Sequence, residues 1–180
     1  SIWREYEKML AYNESIQPDD TVRVNENFFV GKQWEGVESN GPPTPVFNFL
    51  KRVTLFTVAS ITSERVKLLA SPVDSRSGDG KIIRAAGAVN AELDAILEHN
   101  KLPQLLHEFM RNAAVDGDAA TYTYWDAEAP SSGGGRGAIV TEIVPNTRVG
   151  FGSCADRRVQ SQPYILIKRR ELTERLRNRA

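Results

Sequence analysis

Asp116 and Asp118 flank Gly117, with His107 and Glu108 a few helical turns upstream, so carboxylates and an imidazole could converge there on a divalent cation. Such a pair would suit phosphoryl transfer or nuclease chemistry, in which carboxylates hold magnesium. The same residues also spell a turn: Gly117 tolerates positive φ, and short aspartate side chains bond nearby backbone. The turn is the favoured reading, and His99 and His107 need not share a helix. The SGDGK segment ending at Lys81 suggests a phosphate loop, but its spacing fails. A Walker loop needs glycine where Ser75 stands and a hydroxyl where Ile82 stands. Cys154 has Arg157 and Arg158 nearby, which would favour a thiolate, yet it sits in no recognisable elbow or triad context. The expectation is a chain that is not an enzyme and takes no cofactor and no metal.

Charge is the remaining chemical signal. The chain is neutral overall, with 23 basic and 23 acidic residues, yet residues 156 to 180 carry a net +5 and the preceding body −5. A basic tail on a mildly acidic body suits contact with phosphates or an acidic neighbour. Candidate nucleic-acid contacts are Arg169, Arg170, Arg175, Arg177 and Arg179. On a helix Arg175 and Arg179 share a face, while Glu171 pairs with Arg175 and blunts the field. Phosphate contacts carry no base readout, so any affinity for DNA is expected to be weak and independent of sequence.

The elements that must position these groups follow from periodicity. Composition is ordinary for a folded domain, 41% apolar and 26% charged, and no run approaches the ~18 apolar residues that span a membrane. One cysteine excludes an intrachain disulfide framework. Trp3, Tyr6, Met9 or Leu10, and Asn13 mark an amphipathic helix that ends near Pro18. Thr44 is placed as the cap and Pro45 as the first residue of a second helix with Val46, Phe49, Leu50, Val53 and Thr57 on one face. Val66 to Ala70 is read as a strand and DSRSGDG as a loop.

Val89, Leu93, Ile96 and Leu97 give a third helix stopping near Asn100. Leu102, Leu105, Leu106, Phe109, Met110 and Ala113 give a fourth, up to the Asp116-Gly117-Asp118 turn. From Ala119 the period becomes two: ATYTYW, Ala138 to Val144, Arg148 to Phe151 and Tyr164 to Lys168 read as strands, followed by a helix from Arg170. Helices first and a mainly antiparallel sheet afterwards is the α+β class, read as a single domain over residues 1 to 180.

Several landmarks occur in a fixed order: NENFFVGKQW, then Pro45 and Asn48, then a helix into Val58-Ala59-Ser60-Ile61-Thr62-Ser63. Asn90-Ala91-Glu92-Leu93, EHNKL, AAVDGDAATYTYWD, TEIVPNTRV and VQSQPYILIKRREL follow. In this order the chain resembles the amino-terminal wing portion of the portal proteins of tailed double-stranded DNA bacteriophages. The resemblance implies a non-catalytic subunit of a ring at one capsid vertex, serving DNA packaging, ejection and head-to-tail attachment. The partners it implies are other portal subunits, the major capsid protein, terminase, head-to-tail connector proteins and the double-stranded DNA passing through, with no membrane. Localisation would be the virion, and the host cytoplasm during assembly. The family continues into stem and clip elements, so the chain is expected to be a piece of a longer subunit. The alternative is a nucleic-acid-binding module using the basic carboxy-terminal segment.

Physical roles for the landmark residues can be assigned. Phe28, Phe29, Gly31, Gln33 and Trp34 are expected to form a packed corner, with Gly31 permitting the turn and Trp34 buried. Gln162 and Pro163 are expected to lead into the last strand. With its apolar surfaces assigned to core faces, this segment alone is expected to be monomeric or weakly associated, the ring requiring further parts.

Overall fold

A computed structural model of the chain describes residues 2–16, 18–38, 41, 44–64, 67–72, 80–130, 135–152, 158–170 and 173. Five helices precede the strands: α1 (Ile2–Ile16), α2 (Pro18–Val30), α3 (Phe49–Ile61), α4 (Gly80–His99) and α5 (Leu102–Asp116). Strands β1 (Ala120–Pro130) and β2 (Arg136–Val144) form one two-stranded sheet, and β3 (Val149–Phe151) and β4 (Ile165–Ile167) another. The arrangement is α+β with amino-terminal helices followed by antiparallel strands.

The chain divides into two compact units. The first comprises Ser1–Val53, Asn112–Ala120 and Val144–Ala180, the second Thr54–Arg111 and Thr121–Ile143.

In the first unit α1 packs on β3, and α2 on the 3-10 turn Asn146–Arg148. Met9 of α1 is buried at 1% exposure, directly over Gly150 of β3. The Tyr164 ring covers Gly152, and its hydroxyl donates a hydrogen bond to Glu5 Oε2. Lys8 Nζ lies 3.2 Å from Glu5 Oε1 one turn along α1. The tyrosine hydrogen bond, with help from Lys8, holds the Glu5 carboxyl below the usual glutamate range. A group depressed in this way stabilises the fold above the unfolded carboxyl pKa of about 4.3, and that contribution disappears as pH falls through the lower folded value. Acid titration of the wild type is therefore expected to show an added loss of stability there, and Glu5→Gln to remove it. An identical acid limb in both proteins would contradict the assignment.

The α1 helix ends at Ile16, just before Pro18, as its periodicity predicts. The α2 helix that Pro18 opens is an element the periodicity reading lacks; a first helical position needs no N–H donor, and Asp19 and Asp20 favour the positive end of the helix. The α3 helix starts at Phe49, four residues after Pro45, because Asn48 is the cap: its Oδ1 accepts the Lys51 N–H at 2.9 Å.

Asn48 Nδ2 also donates to the Phe29 carbonyl at 2.7 Å, one of the carbonyls left over at the end of α2. That end is a Schellman turn. Gly31 has φ +90°, its N–H bonds Phe28 O at 3.2 Å, and Lys32 N–H bonds Asn27 O at 2.7 Å. One amide side chain therefore closes two helix ends. Asn48→Ala is expected to cost about 2 kcal/mol, a cap plus one hydrogen bond. Denaturant melts would detect it, and a change below about 0.5 kcal/mol would show that neither bond matters.

The second unit is pinned by two more asparagines. Residues 67–72 are irregular, so the expected strand there is absent from the described part. In its place the Asn90 side chain pairs with the Ala70 backbone: Ala70 N–H to Oδ1 at 2.7 Å and Nδ2 to Ala70 O at 3.1 Å. An amide side chain presents the same donor and acceptor as a neighbouring strand, so no second strand is required. Asn100, just beyond α4, does the same to β2. Its Nδ2 donates to Ile139 O at 2.8 Å and to Ile96 O at 2.8 Å, and its Oδ1 accepts Thr141 N–H at 2.6 Å.

Candidate functional site

The antiparallel register of β3 and β4 pairs Val149 with Ile167. Extended by one step it places Arg148 opposite Lys168, and the Lys168 N–H donates to Arg148 O at 2.8 Å. Pro145, extended at φ −55° and ψ 138°, starts the 3-10 turn that carries Thr147 and Arg148, and Arg148 N–H closes it on Pro145 O at 2.9 Å. These segments, with Arg169 and Arg170 following β4, line a half-open cleft of about 640 Å³. Tyr6 from α1 and Asp19 from the first turn of α2 complete the wall.

Among the described residues the lining contains four cations and one carboxylate. Like charges set opposite one another across a strand pair are destabilising, so the meeting of Arg148 and Lys168 is not explained by sheet stability. Like charges lining one cleft add their fields, and guanidinium groups match the geometry of oxyanions. What this cleft offers chemically is electrostatic retention of an anion. Among the described residues no group of three histidine, cysteine, aspartate or glutamate side chains is placed to hold a metal ion.

The expected phosphate contacts are partly located. Arg169 and Arg170 line the cleft, whereas Arg175, Arg177 and Arg179 lie outside the described residues, as does the helix expected from Arg170 apart from Arg170 and Thr173. Arg148, Thr147, Tyr6 and Asp19 carry no site signal in the sequence, because they reach the cleft from three elements far apart in the chain. The legible signal was the strand pattern on either side, from which a hairpin register would have paired Arg148 with Lys168.

The aromatic motif is corrected. Trp34 is 43% exposed and Phe28 43% exposed, so the corner is not buried around them. Phe28 and Phe29 belong to the last turn of α2, and the chain then leaves the helix through the Gly31 turn, which puts Trp34 beyond the packed part. Phe29 is half-buried, with Lys51 Nζ 5.7 Å from its ring centre, and Gln33 is half-buried. Gln162 follows the 3-10 turn Val159–Ser161, donating its N–H to Val159 O at 3.2 Å, and with exposed Pro163 leads to Tyr164 and β4.

The acidic turn is occupied structurally. Gly117 adopts φ +92° with its N–H on Ala113 O at 3.1 Å, ending α5. Asp118 Oδ1 accepts a hydrogen bond from Asn146 Nδ2 at 2.6 Å. His99 and His107 are exposed, and Cys154 and Ser75 lie outside the described residues. Comparison with known protein families and with curated protein sequences found no match to this chain.

Proposed function

We propose that the chain is a structural, non-catalytic subunit of a phage portal ring, corresponding to the wing portion of that subunit. The observation that carries this reading is how much large apolar surface each unit leaves uncovered. Among the described residues only Met9, Val58 and Val144 are fully buried apolar side chains. In the first unit Phe47 is 74% and Phe49 68% exposed; in the second Phe56 is 77% and Leu69 78%. Single exposed hydrophobics are ordinary, but many large ones beside so small a core are the mark of a chain whose surface is completed by neighbours. The ordered sequence landmarks and the α+β arrangement, helices before strands, support the same assignment.

The expectation that apolar faces are spent inside this chain is thereby corrected, and the expectation of a monomeric or weakly associated segment, which leaned on it, becomes a question for measurement. Self-association that rises with concentration is the expected behaviour, measured by sedimentation velocity. Phe49→Asp and Phe56→Asp, both at exposed positions, should shift the chain to monomer while leaving circular dichroism unchanged. A strictly monomeric wild type at all accessible concentrations would overturn this part of the reading.

A further inference from the structure

We propose that the cleft between β4 and the Asn146–Arg148 turn is a binding site for a compact polyphosphate, a pyrophosphate-bearing ligand of nucleotide size. This inference stands apart from the portal reading. Its volume of about 640 Å³ falls within the range of small-ligand sites, roughly 300 to 1,000 Å³. Its charge suits two adjacent phosphates. Arg148 and Lys168 are held together by a backbone hydrogen bond against their mutual repulsion, and Arg169 and Arg170 stand along the same wall. A bound polyanion relieves that repulsion, and arginine forks donate paired N–H groups to phosphate oxygens.

The other groups of the lining choose between ligand classes. Tyr6 and Thr147 add hydroxyls that hydrogen-bond phosphate or sugar oxygens, and the carboxylate of Asp19 accepts from a hydroxyl but repels a further phosphate. A DNA duplex backbone has no hydroxyl donor to offer Asp19, and a site walled by α1, α2, the 3-10 turn and the segment after β4 is concave toward a small molecule. Both features favour a discrete ligand carrying phosphates at one end and hydroxyls at the other. No bond is made or broken in this proposal.

Isothermal titration of the full 180-residue chain with sodium pyrophosphate and with adenosine triphosphate tests it. Saturable one-to-one binding is expected, weakened about tenfold or more by Arg148→Gln, the loss of one charge-assisted contact. Lys168→Gln and Arg170→Gln are expected to act in the same direction, which covers the case in which one variant fails to fold. Asp19→Asn should tighten pyrophosphate but not the nucleotide, and Arg52→Gln, a cation outside the cleft, should change neither. Absence of pyrophosphate binding would overturn the proposal. So would equal affinity in folded cleft variants, or a 20-base-pair duplex that binds more tightly than either small ligand and is lost in the same variants.

Discussion

Met9→Ala is expected to destabilise the chain by about 3 kcal/mol, in the usual range for deleting a buried methionine. Its side chain is 1% exposed and rests on Gly150 of β3, where α1 packs against the sheet. The contact requires that position 150 carry no side chain, since a β-carbon there would overlap the Met9 sulfur. Gly150→Ala should therefore cost about 1 to 3 kcal/mol through overpacking. The informative result is the double variant. Once Met9 is alanine the space above Gly150 is open, and Gly150→Ala should cost much less in that background than in the wild type. Denaturant unfolding of the four proteins measures the coupling, and strictly additive effects would show that the two positions do not meet.

Asn100→Ala is expected to cost a similar amount, about 3 kcal/mol, because its amide makes bonds to both β2 and α4. Each net hydrogen bond contributes about 1 kcal/mol, and deletion strands Thr141 N–H and Ile139 O, which are then left without their side-chain partner. Asn100→Asp separates the two halves of the interaction. The acceptor for Thr141 survives, while the donor is replaced by an oxygen facing the carbonyls of Ile139 and Ile96. Hydrogen exchange at the Thr141 amide should accelerate strongly in the alanine variant and less in the aspartate variant. Unchanged protection in both would contradict the bridging role.

These two sites show where the sequence was legible. The strand that carries Gly150 and the helix that carries Met9 were both readable, since apolar spacing marks α1 and a short β-favouring run marks β3. Their contact was not readable, because it joins positions far apart in the chain and depends on the absence of a side chain. Asn100 was visible only as a stop after the third helical pattern. Its second role, imitating a strand neighbour, arises when the helix end meets β2, and no local propensity encodes that meeting. Asn48 shows the same gap. Pro45 offered a conventional helix start, yet the stronger cap three residues later prevailed, because it also satisfies the end of α2.

The candidate site was half legible for a related reason. A run such as Lys168-Arg169-Arg170 announces positive charge, but only the β3–β4 register brings Arg148 to it. Aromatic residues around a glycine suggest a packed corner by pattern alone, and Trp34 does not join one. The Gly31 turn instead ends a helix and leaves the indole beyond it.

The proposed function requires assembly into a ring. Negative-stain electron microscopy of the protein expressed from its complete native reading frame tests it most directly. Closed rings of uniform diameter with a central channel are the expected result. Dispersed particles of one subunit's mass, at concentrations where the exposed phenylalanines should drive association, would contradict it.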